Sequence, residues 1–257
     1  MSDGTLPGWV RKQPDLAEAQ ACISWAFSHL APLTKRLDDW LERSVVTELR
    51  DPGEHATHNL IIGVEKELLP LSFSVEVGAY INTIRSSLDI LAMALVRRYG
   101  LDIKEDQVYF PIARSESSFN DKNWPGRKFI EALPVLDRRL IESLKPYKGG
   151  NQGLWTLHHL DILRKHRRLL SVELHPISIT LQGTLREGDF EPLAVEAVHV
   201  NEETIIGMLR KGVDPTLVRS KFYVRINEEG DLPRRPVSAT LVYLMDMVAG
   251  IIALFDY

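Results

Sequence analysis

Cysteine is almost missing from this chain: Cys22 is the only one in 257 residues. That excludes an intramolecular disulfide and any cysteine-rich metal site, and it fits a reducing compartment, so the expected location is the cytoplasm. An excess of positive charge is missing too. Thirty-one Lys and Arg stand against 35 Asp and Glu, a net charge of −4, which removes any global electrostatic case for a nucleic-acid partner. Aromatic residues make up only 8% and are scattered, so no base-stacking platform is expected. The chain carries no G-x-S-x-G, no P-loop, no G-x-G-x-x-G and no H-E-x-x-H, so the familiar routes to hydrolase, nucleotide and zinc-protease chemistry have no sequence support. The first residues, MSDGTLPGWVRKQPD, hold no apolar run, and no secretory signal is expected.

Long apolar runs are confined to one place. Val237–Phe255 is nearly all apolar, but Asp246 sits in its middle, where membrane insertion would be opposed by about 2.5–3.5 kcal/mol. A buried closing helix in a soluble protein is therefore expected rather than a tail anchor. Apolar residues at 44% and charged residues at 26% are ordinary for a globular protein, and the pattern favours a single domain over the whole chain, 1–257.

Residues 1–13 read as a loose arm. A helix is expected to start after Pro14 and run to about Arg43, with Asp15 as its cap and Pro32 as a kink or break. Val45–Arg50 and Ala56–Val64, separated by Asp51-Pro52-Gly53-Glu54, form a hairpin. After the long helix that follows Pro70, Ser115–Gly126 reads as a polar loop, and a helix from Lys128 to about Leu144 should break near Pro134. The linker PYKGGNQG delivers a second polar helix. From Leu169 the period becomes alternating, giving strands at Leu170–Leu181, Leu193–Val200 and Lys221–Ile226, with a short helix at Glu202–Arg210 and a turn at 228–231. The expected class is α+β: a mainly helical core over 14–168 with a hairpin at 45–64, a small antiparallel sheet completed by the β-rich part at 169–227, and a closing C-terminal helix at 237–255.

Two helical segments carry the candidate chemistry. In Val77–Arg98, residues Val77, Ile81, Ile84, Leu88, Leu91, Ala92 and Leu95 share one broad apolar arc, and Asn82, Arg85, Ser86 and Asp89 form a polar stripe at i, i+3, i+4, i+7. On the second helix, Leu154–Arg167 and its continuation, His158, Asp161, Lys165 and Arg168 share one side, and His159 and His166 share another with Trp155 and Ile162. Arg85 and Asp89 lie one turn apart and pair either as an internal clamp or as an anion ligand with its orienting carboxylate. A His–Asp pair at i, i+3 suits acid/base work. It falls short of a metal site, because a helical site draws further ligands from a facing helix and only Asp89 offers itself. No metal and no cofactor are expected. The cluster RKHRR at 164–168 is a local basic patch.

The string Asn82-Thr83-Ile84-Arg85-Ser86-Ser87-Leu88-Asp89-Ile90-Leu91-Ala92 resembles the NLRSALDHLA signature of a bacterial protein family without an assigned activity. Phe110-Pro111-Ile112 matches that family's FPI, and Arg164-Lys165-His166-Arg167 matches its DKHR with Arg164 in place of Asp. Order and spacing agree over roughly residues 40–170. The arginine-then-histidine spacing of the signature is also similar to the HEPN superfamily of dimeric, metal-independent ribonucleases, whose helical core this chain would share. Here Ile90 replaces that histidine, so His158 or His166 would have to stand in. Arg50 with His55 and Arg168 with His175 meet the same spacing, but in a turn and a strand.

The resemblance implies a cytoplasmic binding or regulatory module with a HEPN-like helical bundle, in a stress or phage-defence system. RNA or a protein is its partner class, and it forms a homodimer. The alternative it implies is an endoribonuclease with Arg85, Asp89, His158 and His166 as the reacting groups, and Asn82, Asp161, Lys165 and Arg167 as binding residues.

Overall fold

The computed structural model describes residues 13–181, 186–192, 198–200, 203–228 and 235–257. Most of the arm expected at 1–13, the first half of the strand expected at 193–200 and most of the turn at 228–231 lie outside them. The helices are α1 (Ala17–Ser44), α2 (Leu71–Tyr99), α3 (Glu116–Asn120), α4 (Pro125–Ala132), α5 (Val135–Ser143), α6 (Gln152–His166) and α7 (Val237–Ala253). The strands are β1 (Val45–Arg50), β2 (His58–Glu65), β3 (Val172–Leu181), β4 (Phe190–Pro192), β5 (Val198–Val200), β6 (Glu203–Arg210) and β7 (Val218–Ile226). The fold is α+β, with antiparallel strands and a C-terminal helix.

Where the sequence reading drew one domain, the residues group into two compact units. Unit 1 holds the described parts of Met1–Ala31, Ser74–Ser171 and Glu228–Tyr257; unit 2 holds those of Pro32–Phe73 and Val172–Asn227.

Unit 1 is helical, with α2 as its most buried element. Val77, Ile81, Ile84, Leu88, Leu91, Ala92 and Leu95 are all fully buried, each apolar side chain of Val, Ile or Leu size contributing about 1.5–3 kcal/mol of transfer free energy. In α7 the buried set, including Leu241, Leu244, Met245, Val248 and Ile252, recurs every three or four residues, and Asp246 is exposed on the opposite face. That one-sided pattern is a core helix. Among the described residues, no helix is long and apolar enough to cross a membrane. Gly153 on α6 permits a close approach to α7: a Cβ there would lie 2.6 Å from Met247 Sδ and 2.7 Å from the Tyr243 hydroxyl.

Several local expectations are corrected. Pro32 does not break its helix, which runs from Ala17 to Ser44, although the boundary between the units falls at that residue. Asp15 does not cap α1. Its carboxylate is taken by Arg98, with Nε at 2.6 Å and a terminal nitrogen at 3.0 Å, a bidentate pairing that holds Asp15 below the usual carboxylate range. The polar loop expected at 115–126 contains α3, whose N-cap Ser115 accepts the Ser118 N–H at 3.1 Å. The break near Pro134 is present and separates α4 from α5.

Unit 2 holds the strands and the 32–44 part of α1. One sheet runs β1-β2-β6-β4, with β5 also on β6, and β3 pairs with β7 in a two-stranded sheet. The hairpin is as expected, Val45 opposite Glu65 and Arg50 opposite Leu60; its turn uses Gly53 at φ 135°, with the Gly53 N–H on Asp51. The short helix expected at Glu202–Arg210 is instead strand β6, paired with β2, β4 and β5. Ile206 and Leu209 enter a cluster with Ile61 and Val218, and burial of that kind overrides weak helical propensity. Phe222 packs where Gly63 leaves room, 2.4 Å from where a Cβ would stand.

Candidate functional site

The two polar stripes meet, and both lie within unit 1. Helices α2 and α6 run antiparallel. Gly78 faces Arg164, Asn82 faces Asp161 and Arg85 faces His158. The i, i+3, i+4, i+7 spacing that gathers Asn82, Arg85, Ser86 and Asp89 on one side of α2 is the reason they reach a common neighbour.

Arg85 sits at the centre with 5% of its side chain exposed. One terminal nitrogen donates to Asp89 Oδ1 at 2.7 Å. The other donates to the carbonyl of Phe110 at 3.3 Å, and Nε donates to His158 Nδ1 at 3.5 Å. Asp89 Oδ1 also accepts the Phe110 N–H at 2.9 Å. Arg85 and Asp89 thus grip both backbone groups of one residue, and the Phe110 ring is fully buried.

A second polar set lies beside the first. Asn82 Nδ2 donates to Asp161 Oδ1 at 3.1 Å and to the Ser86 hydroxyl at 3.3 Å. Lys165 reaches Asp161 Oδ2 at 2.7 Å. Asp161 is buried, with 4% exposed, and has both oxygens partnered.

His158 lies between the two sets. Burial pushes its imidazole down to about 4, the positive charge of Arg85 adds to this, and Asp161 and Asp89 only partly oppose it. The ring is therefore neutral at pH 7. Because the Arg85 Nε–H is a donor, Nδ1 accepts and the ring proton resides on Nε2.

Six of the eight expected site residues come together: Asn82, Arg85, Asp89, His158, Asp161 and Lys165. His166 and Arg167 do not. Both are exposed, without a side-chain partner among the described residues. On α6, position 166 lies about 80° round from His158 at 100° per residue, with Trp155, His159 and Ile162, so it cannot share the inner face. The basic run at 164–168 is likewise largely committed. Arg164 lies across Gly78, Lys165 pairs with Asp161, and Arg168 forms a bidentate pair with Glu228 at 2.8 and 2.7 Å. Among the described residues, no group of three or more His, Cys, Asp or Glu side chains is placed to hold a metal ion.

The sequence reading missed the grip on the Phe110 backbone. Its signal was the short apolar run Val108–Ile112, which ends the irregular stretch after α2. Gly78, which faces the Arg164 stem, carried no signal in the sequence.

No family model, no curated protein and no solved structure matches this chain.

Proposed function

We propose that this protein is a binding or regulatory module in which the α2–α6 polar cluster is a structural lock rather than a reaction centre. The observation that carries the reading is the employment of Arg85. Its guanidinium donates to Asp89, to the Phe110 carbonyl and to His158, which leaves it poorly placed to hold a phosphate or a developing oxyanion. The charges cancel in pairs, Arg85 with Asp89 and Lys165 with Asp161, and the histidine between them is neutral. Such a cluster fixes the register of two helices and the segment packed on them. The partner class is RNA or a protein, and a cytoplasmic role in stress or phage defence follows from the family resemblance.

The second reading is a metal-independent endoribonuclease of HEPN type. The 3.5 Å contact of Arg85 with a neutral, half-buried His158 favours it, since that pairing of residues suits charge stabilisation beside an acid/base group. An RNA-cleavage assay in EDTA separates the two, using the native chain, Arg85→Ala and His158→Ala. The module predicts no cleavage above background, with both variants altered only in stability. Cleavage by the native chain, lost in both variants while they remain folded, would establish the ribonuclease instead.

A further inference from the structure

The neutral ring of His158 has one lone pair in its plane to offer, and its direction is fixed. Arg85 Nε can only donate, so the 3.5 Å contact turns the lone pair of His158 Nδ1 toward the guanidinium. A proton taken up by this imidazole must land at Nδ1, on the side of the ring that faces Arg85. There an acceptor becomes a donor opposite another donor, and a neutral ring becomes a cation beside a second cation.

Arg85 cannot step aside by itself. Its side chain is 5% exposed, and its two terminal nitrogens are fastened to Asp89 Oδ1 and to the Phe110 carbonyl. The charged and titratable groups acting on His158 come from both helices, Arg85 and Asp89 from α2, Asp161 and His159 from α6. The carboxylates differ in what they can still accept. Asp161 has both oxygens taken, by Asn82 and by Lys165. Asp89 uses Oδ1 for Arg85 and for the Phe110 N–H, while its Oδ2 has no partner among the described residues. A protonated His158 is thus repelled by Arg85 and finds spare acceptor capacity in the cluster only at Asp89. Both effects pull on the same pair, and that pair holds the N–H and C=O of Phe110. Residues 108–112 belong to no strand, so no ladder keeps those groups once the pair lets go.

We propose that His158 is a proton-operated latch: protonation at Nδ1 frees the Phe110 backbone from Arg85 and Asp89 and opens the 108–112 segment locally, before the helices unfold. This rests on the reading of the cluster as a lock, and names what unlocks it. The direction follows from linkage. Closed, the ring is neutral because burial and the Arg85 charge oppose its protonation; open, it regains an ordinary affinity for protons. Acid therefore favours the open form, increasingly so as the pH falls below the ordinary histidine range.

The test is native-state hydrogen exchange of the full chain at about pH 7 and about pH 4.5, read as protection factors. The Phe110 amide reports the latch, and the amide of Val248, fully buried on α7, reports global opening. In the native chain, Phe110 protection is expected to fall at least roughly tenfold on acidification and to stay at least roughly tenfold below that of Val248. His158→Gln keeps an acceptor for Arg85 and cannot titrate, so it should hold Phe110 protection within about threefold over the same range. The latch is overturned by native Phe110 protection that does not fall, or by an equal fall in His158→Gln. Phe110 and Val248 protections that coincide would also overturn it, since acid would then act through global unfolding alone. Arg85→Ala separates the two levels. If its Phe110 amide stays as protected at about pH 7 as in the native chain, the cluster is not a lock and the underlying reading fails. If that protection is lost while the native chain ignores acid, the lock stands and the latch alone is withdrawn.

Discussion

Arg85 and Phe110 are joined through the Phe110 backbone: the guanidinium donates to the Phe110 carbonyl at 3.3 Å, and Asp89, held by Arg85, takes the Phe110 N–H at 2.9 Å. A chain segment with no regular structure would otherwise bury those two groups without partners, at about 1–3 kcal/mol each. The ion pair on α2 is thus a substitute for the strand that the 108–112 run does not form, and the Phe110 ring is held in the core by it.

Removing that grip should be costly. Arg85→Ala strips partners from the Phe110 carbonyl, Asp89 and His158 together. Since Asp89 is 37% exposed, water recovers part of the loss, and a destabilisation of about 2–4 kcal/mol is expected. Asp89→Asn keeps an amide oxygen for the Phe110 N–H but leaves the buried Arg85 cation without its carboxylate, and should cost about 1–3 kcal/mol. Urea denaturation of the two variants measures both. Equal and small losses would mean that the clamp does not carry the packing of Phe110.

His158 makes stability depend on acidity in a predictable direction. Its folded imidazole titrates near 4, against 6.5 for an unperturbed ring. Between those values the unfolded chain binds more protons than the folded one. The contribution is therefore complete above pH 6.5 and is lost as the pH falls through 4. Allowing for partial exposure of the ring, about 2–3 kcal/mol is at stake. His158→Gln should flatten the dependence, so the native-minus-variant difference must shrink between pH 7 and pH 4.5. A difference that stays constant over that range would show that the imidazole is not held neutral.

The helix-pair site was legible in the sequence because both its ridges obey helical spacing. Asn82, Arg85 and Asp89 on one helix, with His158, Asp161 and Lys165 on the other, each fall within one face. His166 and Arg167 were placed with them by composition, since a histidine in a basic run attracts notice whichever way it faces. Angle, not residue type, decides the matter. At Glu203–Arg210 the apolar residues at 205, 206 and 209 also fit a short helix, and pairing with β2, distant in sequence, and with the nearby β4 and β5 makes it a strand. Asp15 went astray for a similar reason: its partner Arg98 lies 83 residues away, and no local pattern marks such a pair.

Two glycines on the helices of unit 1 should respond oppositely to the same substitution. At Gly78 an added methyl would meet the aliphatic stem of Arg164, 3.0 Å from Cγ. That stem is flexible and half-buried, so it can shift by a few tenths of an ångström. The gain in helix propensity, about 1 kcal/mol for Gly→Ala in a helix interior, then outweighs the contact, and Gly78→Ala should be neutral or stabilising by up to about 1 kcal/mol. At Gly153 the methyl would lie 2.6 Å from Met247 Sδ and 2.7 Å from the Tyr243 hydroxyl, both on α7, and the position is in the first turn of α6, where propensity counts for less. There α6 and α7 must separate or two side chains must leave their rotamers, which costs about 1–3 kcal/mol. Thermal denaturation of Gly78→Ala and Gly153→Ala side by side checks the contrast: the second must melt below the native chain and the first must not. If both melt lower, Arg164 is held as rigidly as the α6–α7 contact, and the cluster on α2 extends a full turn further than its hydrogen bonds indicate.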